Sequence, residues 1–117
     1  MLEKLSTLAY LYDFYENLLT EKQKRIFKLY YFHDLSLGEI AEECEISRQA
    51  VYDLLKRTEE LLNEYEKKLN LYEKFIHQKK HLEKLKKILL DLNEVCPKDN
   101  VLNAIRCVDD LINLNNK

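Results

Sequence analysis

The stretch Leu37–Arg57, LGEIAEECEISRQAVYDLLKR, decides the fold. A helix-turn-helix motif needs a small residue where its second helix crosses the first, and Ala41 stands at that point. Apolar residues then fall at the offsets that fill the wedge between the two helices: Ile40, Cys44, Ile46, Val51 and Leu54. Ser47 is placed to cap the second helix, which in such motifs lies in the major groove. The pattern therefore predicts a helix-turn-helix.

Charge is the unusual feature of this stretch. It carries five acids against three bases, Arg48, Lys56 and Arg57. Over the wider segment Glu21–Glu60, nine acids oppose seven bases, a balance of −2. Because phosphate contacts supply much of nucleic-acid affinity, such a module binds weakly unless its bases gather on one face. The alternative is that the surface of the motif is an ordinary solvated helix face.

The turn between the two helices carries Glu45 at a position where Gly is frequent, because the residue there takes a positive φ. A side chain at such a position costs about 1 kcal/mol of backbone strain. We therefore expect the turn to form at some cost in stability.

Composition indicates an all-α chain. Its 117 residues include one Gly and one Pro, against usual frequencies of about 7% and 5%. Strands and tight turns need these residues, whereas Leu, Glu and Lys favour helices. The length allows one compact domain, or a small domain with an extension. We predict a helix-turn-helix domain with an N-terminal helix over residues 1–63, and a long-helix extension with a C-terminal helix over 64–117.

Apolar residues recur with the helical period on the N-terminal side of the motif. A first helix is predicted over residues 2–19 and a second over Glu21–Phe32. The pair Thr20 and Gln23 predicts a capping box at the start of the second helix. Ser36 and Glu39 predict another at the start of a short helix that runs to residue 44.

The fourth helix has no obvious end. It begins at Arg48, and neither Gly nor Pro occurs before Pro97. The apolar stripe is interrupted at residues 77–81, HQKKH, so the helix is expected either to run very long or to bend there. Pro97 is expected to end it, because the residue before a proline avoids the α region. A last short helix is predicted from residue 98 or 99 to about residue 114.

A resemblance to known proteins covers roughly residues 1–75. Residues 19–62 resemble region 4 of bacterial sigma factors. Three segments are similar to the YlxM-like (p13-like) family of small helix-turn-helix proteins: DFYENLLTEKQKRIFKLYY (13–31), LSLGEIAEECEISRQAVYD (35–53) and LKRTEELLNEYEKKL (55–69). The resemblance implies an all-α, sigma-region-4-like helix-turn-helix with an N-terminal helix, a long helix and a short C-terminal helix. Residues 80–117 carry no such resemblance.

The resemblance also implies a role. Members of this family are encoded beside the genes of the signal recognition particle, which implies a regulatory or accessory part in that pathway. The positions that a sigma-type module aims at DNA correspond here to Ser47, Arg48, Gln49, Tyr52, Asp53, Lys56 and Arg57. Four further bases lie on the second helix, which borders the DNA backbone in this fold: Lys22, Lys24, Arg25 and Lys28. The implied partners are signal recognition particle protein or RNA, and DNA.

A second basic segment, Lys67–Lys87, carries eight lysines and two acids. Its candidate contact residues are Lys79, Lys80, Lys84, Lys86 and Lys87. Lysines read charge and shape rather than sequence, so this patch suits an RNA backbone or an acidic protein. An ordinary solvated helix is the alternative.

Catalytic and metal-binding patterns do not stand out. The chain has no Gly-rich phosphate loop, nucleophile elbow or carboxylate pair, so we expect no enzyme activity and no cofactor. His77 and His81 have a metal-ligand spacing but lack the further ligands that a metal site needs. The three cysteines are not in metal spacing, and no signal peptide or run of about 18 apolar residues occurs. We therefore expect a cytoplasmic chain with reduced thiols and no membrane span.

Eight tyrosines exceed what the core of a small monomer requires. Tyrosine is common at interfaces because it buries area and keeps a polar end. Its concentration on the first and long helices predicts a homodimer formed through those helices. The leading hypothesis is a non-enzymatic regulatory or accessory protein of the signal recognition particle pathway. The alternatives are a DNA-binding transcriptional regulator and a structural interaction module.

Overall fold

The fold is all-α, as the composition predicts. The computed structural model describes the backbone of residues 2–95 and 98–115, with the side chains of 7–95 and 98–114. Its elements follow one another as α1 (Leu2–Tyr15), a 3-10 turn (Glu16–Leu18), α2 (Glu21–Tyr31), α3 (Leu37–Cys44), α4 (Arg48–Leu69), α5 (Leu71–Val95) and α6 (Asp99–Asn115). No described helix has a stretch long and apolar enough to cross a membrane.

The chain divides into two compact units, Met1–Tyr72 and Glu73–Lys117. The first contains α1 to α4 and holds the larger core. The second contains most of α5 and all of α6. The predicted division of the chain into residues 1–63 and 64–117 stays a prediction.

Both predicted capping boxes are present. The Gln23 backbone N–H donates to Thr20 Oγ1 at 3.2 Å, and the Thr20 N–H donates to Gln23 Oε1 at 2.9 Å. Ser36 and Glu39 repeat this exchange at the start of α3, with both distances 3.1 Å. These exchanges satisfy backbone donors that a helix start leaves without partners. The two helices therefore begin at residues that the sequence alone identifies.

The core of the first unit forms where α1, α2 and α3 pack against α4. It consists of eleven buried apolar side chains: Leu8, Leu11, Tyr12, Tyr15, Leu19, Ile26, Phe27, Ile40, Val51, Leu55 and Leu62. The Tyr12 and Phe27 rings stack at the centre with centroids 4.7 Å apart. Two other aromatic rings of α1 also have partners in this unit, since Tyr10 stacks on Tyr72 and Tyr15 lies against Tyr65. The tyrosines of α1 thus pack within one chain, and their number does not by itself require a second.

The helix-turn-helix wedge has the predicted composition. Ile40 and Val51 are fully buried between α3 and α4, and Cys44, Ile46 and Leu54 pack against the same core at partial exposure. Glu45 takes the left-handed conformation, with φ 56° and ψ 43°. The Glu45 N–H donates to the carbonyl oxygens of Ala41 and Glu42 at the end of α3. These contacts close the turn, although the residue at the left-handed position is not Gly.

The long helix is interrupted, but at a position other than 77–81. Asn70 adopts the left-handed conformation with φ 55° and ends α4, and α5 then runs without a break from Leu71 through 77–81 to Val95. The expectation of one very long helix, or of a bend at HQKKH, is therefore wrong. Asn tolerates this conformation better than most residues, and it interrupts the helix without disturbing the apolar pattern.

Two side chains from the first unit satisfy the backbone at this break. The Tyr15 hydroxyl donates to Glu66 Oε1 at 2.7 Å and accepts the Leu71 N–H at 3.1 Å. The same Glu66 oxygen accepts the Tyr72 N–H at 3.0 Å. The first two N–H groups of α5 are thereby capped, that of Leu71 by Tyr15 at the far end of the unit's sequence and that of Tyr72 by Glu66 of the preceding helix.

In the second unit, α5 and α6 meet through an ion pair between Lys86 Nζ and Asp109 Oδ1 at 2.6 Å. Ile105 and Val108 of α6 are its buried apolar residues among those described. The start of α6 at Asp99 confirms the prediction for the last helix, which is 17 residues long. The predicted helix end at Pro97 lies outside the described residues.

Candidate nucleic-acid interface

The start of α4 is set by a local cap. Ser47 has extended backbone angles, and its Oγ accepts the Ala50 N–H at 3.0 Å. The cap fixes the start of α4 at Arg48, just after the wedge residue Ile46. It thereby fixes which side chains of α4 point away from the core. The predicted role of Ser47 as a cap is therefore confirmed in structure.

The exposed side of α4 brings most of the remaining predicted contact residues together. Arg48, Gln49, Tyr52, Lys56 and Arg57 are all exposed. The first four fall within about 100° around the helix and share one face, whereas Arg57 lies on the opposite side from Arg48. The side that faces the core is buried through Val51, Leu55, Thr58 and Leu62. The ten residues from Arg48 to Arg57 extend roughly 14 Å along the axis, a length suited to a major groove about 12 Å wide.

Two contacts organise this face before any ligand binds. Gln49 Nε2 donates to Asp53 Oδ1 at 3.0 Å. Lys56 Nζ stands over the Tyr52 ring, 5.8 Å from its centroid. The first contact gives Asp53 a partner within the helix, while the amide of Gln49 keeps a second N–H and its oxygen for a base edge. The sequence does not reveal this contact, since two exposed side chains at i, i+4 meet only in particular rotamers.

Shallow grooves flank α4 on both sides. One is lined by Lys22 of α2 together with residues that include Asp53 and Arg57 of α4. The other lies between Leu37 of α3 and the exposed residues at the start of α4. The first groove places Lys22 beside the exposed residues of α4. The pattern of residues 47–57 alone does not reveal this neighbour. Its signal in the sequence is its position on α2, where it is one of four bases.

The four bases of α2 are not equivalent. Lys22 and Arg25 line a further surface depression beside Cys44, and both are exposed. The Lys24 side chain is only 22% exposed and pairs with Glu21 at 3.4 Å. Such an exposed-partner ion pair adds little stability, but it holds Lys24 on its own helix. Lys22 and Arg25 are thus the α2 bases seen to line grooves shared with residues of the motif.

The acids of the motif lie mainly on α3. Glu39, Glu42, Glu43 and Glu45 are exposed there or in the turn, while the recognition face from Ser47 to Arg57 has three bases and one acid. Hydrogen bonds from Ser36 lower the pKa of the Glu39 carboxyl, so this acid is tied to the cap of α3. The net acidity of the motif and the local basic balance of α4 are therefore compatible.

The second basic patch divides into two sets. Lys80, Lys84 and Lys87 are exposed at i, i+4 and i+7, on one face of α5. Lys86 is held by Asp109, and Lys79 is partly buried with its Nζ 6.0 Å from the centroid of the Phe75 ring. The structure thus places three of the five predicted lysines together, exposed on one face of α5.

Comparisons with known proteins agree with this geometry. A family model described as "Putative helix-turn-helix protein, YlxM / p13 like" matches residues 2–101, well beyond the 1–75 of the sequence resemblance. A UPF0122 protein of Bacillus mycoides (strain KBAB4) is 51% identical over 110 residues, which cover 93% of this chain and 100% of the relative. UPF0122 proteins of Bacillus thuringiensis (strain Al Hakam) and Bacillus anthracis (strain A0248) are each 50% identical over the same lengths.

Proposed function

We propose that this chain, which belongs to the UPF0122 family of YlxM/p13-like helix-turn-helix proteins, is a non-enzymatic regulatory protein that binds DNA through α4. One observation carries the proposal. Four side chains able to contact DNA, Arg48, Gln49, Tyr52 and Lys56, stand exposed on one face of α4, directly after the capped turn of the motif, and Arg57 lines the groove beside that face. From Ser47 to Arg57 three exposed bases stand against one acid, whereas four exposed acids lie on α3 and in the turn, so the start of α4 is the basic part of an acidic motif.

The roles of the contact residues follow from their chemistry. Arg48 and Gln49 lie in the first turn, where helix-turn-helix motifs read base edges, and they suit guanine and adenine respectively. Lys56 and Arg57 lie two turns further on, where they suit backbone phosphates. Lys22 adds a phosphate contact from the groove beside α4. The protein thus combines two base-reading residues with a small number of phosphate contacts, which gives weak and salt-sensitive binding.

The experiment that tests this proposal is selection of bound sequences from a random DNA library, followed by affinity measurement in low salt. Arg48→Glu combined with Gln49→Ala should abolish retention of the selected DNA. Arg106→Glu combined with Gln78→Ala makes the same chemical changes at exposed positions of the second unit, and it should leave retention unchanged. Equal retention by both variants rules out α4 as the reading element.

A second function is favoured by the lysine face of α5. Three exposed lysines without an interleaved arginine suit a phosphate backbone read by charge. An accessory role in the signal recognition particle pathway, through contact with its RNA or protein, fits this surface. Affinity capture from lysate with and without nuclease separates the two partners. Lys80→Glu combined with Lys87→Glu should abolish capture of these components, and unchanged capture counts against this role.

A homodimer completes the proposal. Two copies present two α4 helices, so that a twofold-symmetric DNA site is the natural target. The tyrosines of α1 gave the first reason to expect a dimer, but they pack within the unit. Where the second copy docks is therefore a separate question.

A further inference from the structure

The second unit exposes more apolar side chains than it buries. Among its described residues, Ile105 and Val108 are buried, whereas eight large apolar side chains are at least 40% exposed. Six of these matter here: Leu85, Ile88, Leu92 and Val95 on α5, and Leu111 and Leu114 on α6. Two helices alone cannot enclose so many, and a contiguous exposed apolar surface marks an interaction site.

These side chains form one face. On α5, the spacing 85, 88, 92 and 95 is that of a single helical stripe, and 111 and 114 continue the pattern on α6. The ion pair between Lys86 and Asp109 shows which residues of α5 and α6 lie side by side. Counting from it along antiparallel helices places Leu85 within one residue of Leu111. With 3.6 residues per turn, both stripes fall on the same side of the helix pair.

We propose that this face is the site at which a second copy of the chain docks, so that two helix pairs form a four-helix bundle. The size of the face agrees with this occupant. The 23 residues of α5 from Glu73 and the 17 of α6 give lengths of about 34 and 25 Å. At an interaxial spacing of about 10 Å, the flat area is on the order of 600 Å². A stable interface buries about 800 Å² of accessible surface per partner. Side chains that project from the face raise its accessible area above the flat value, toward that size.

Charge complementarity also selects a second copy. The outer edge of α5 carries the lysine face, Lys80, Lys84 and Lys87, whereas α6 exposes Asp99 and Asp110. A twofold axis through the apolar face lays α5 of one copy over α6 of the other. Because Lys86 lies level with Asp109 within one chain, Lys84 then lies within one residue of the level of the partner's Asp110, and this pair carries the complementarity. An anionic lipid surface would attract the lysines but repel the aspartates at the other edge.

This inference rests on the homodimer of the proposed function, and it can fail while DNA binding by α4 stands. The test measures the mass of the full chain by light scattering coupled to size exclusion, over a range of micromolar concentrations. The wild type should have twice the monomer mass of 14.1 kDa. Ile88→Glu should raise the dissociation constant by roughly 100-fold or more, since it places a charge in a desolvated interface.

Leu18→Glu is the matched control. Leu18 lies in the 3-10 turn of the first unit and is 54% exposed, as is Ile88. This variant should remain a dimer, and both variants should keep the far-ultraviolet circular dichroism of the wild type. Lys84→Glu should weaken the dimer, and adding Asp110→Lys should restore it by reversing the charge pair.

Three results overturn the inference. They are a wild type that stays monomeric throughout the range, an Ile88→Glu variant that dimerises as well as Leu18→Glu, and a monomeric wild type that sediments with phosphatidylglycerol vesicles through Ile88. The last result assigns the face to a lipid surface. DNA affinity measured on the same samples reports on α4 separately, because a dimer that binds no DNA contradicts the proposed function and leaves the interface intact.

Discussion

Two buried tyrosines of α1 test what long-range hydrogen bonds contribute to the first unit. Tyr15 is 1% exposed and Tyr12 is 2% exposed. The Tyr15 hydroxyl joins Glu66 of α4 to the first N–H of α5. The Tyr12 hydroxyl is buried without a hydrogen-bond partner among the described residues. Phenylalanine at either position removes one oxygen and leaves the ring, so the pair isolates the hydroxyl group.

The two substitutions should change stability in opposite directions. Tyr15→Phe removes a hydrogen bond to a carboxylate, worth about 1.5–3 kcal/mol, and leaves the Leu71 N–H without its acceptor. We expect a loss of about 3 kcal/mol. Tyr12→Phe removes a hydroxyl whose burial without a partner costs about 1–3 kcal/mol, so this variant should match or exceed the wild type. The difference between the two is large compared with typical surface substitutions.

The assay is urea unfolding followed by tyrosine emission. The chain has no Trp, and all eight tyrosines lie at or before position 72, so the signal reports the unit Met1–Tyr72 alone. Unfolding of the second unit, if it is separate, therefore does not distort the midpoint. A Tyr15→Phe loss no greater than that of Tyr12→Phe would refute the argument, because the Glu66 network would then contribute nothing beyond burial of the ring.

Three further predictions follow from the same structure. Burial, and after it the nearby acids, raises the pKa of Tyr12 from 10.0 to about 12. Because the tyrosine of the unfolded chain ionises first, the free energy of unfolding should fall between pH 10 and 12. In urea titrations over this range, the free energy of unfolding of Tyr12→Phe should fall less than that of the wild type. Glu45→Gly should raise the free energy of unfolding by about 1 kcal/mol, because Gly tolerates the φ of 56°; Glu45→Ala keeps the strain, and an equal gain from it contradicts this explanation. Lys22→Ala should weaken binding to all DNA sequences equally and reduce the slope of log affinity against log salt concentration by about one. A change in base preference would instead mean that Lys22 contacts base edges.

Local features of the chain were predictable because their determinants lie within a few residues. The capping boxes at Thr20 and Ser36, the wedge around Ala41 and the strained turn at Glu45 each depend on contacts over three to thirteen positions. The exposed face of α4 followed from the same reasoning, since burial of the wedge residues leaves only one side of the helix free. The fold and the placement of the predicted contacts were therefore accessible from the sequence.

Features set by distant contacts were not predictable. The break at Asn70 leaves the apolar period intact, and its capping groups include Tyr15, more than fifty residues away. The lysines of α5 looked alike in sequence, but Asp109 on another helix holds Lys86 and leaves Lys80 and Lys84 exposed. In the same way, the tyrosines of α1 suggested an interface until their aromatic partners in the unit were known. Each case required knowing which elements pack together.

The acidity of the motif and the apolar face of the second unit have a common consequence. If α4 binds DNA as proposed, acids on α3 oppose the phosphate backbone beside it, so we expect one motif with three bases on α4 and Lys22 nearby to bind weakly. Joining two such motifs makes the second contact intramolecular, and its effective concentration raises affinity without a new phosphate contact. Specificity rises as well, because base edges are then read at two half-sites instead of one. A weak acidic motif is thus suited to a chain that dimerises through α5 and α6, and a strongly basic one would not need the second copy.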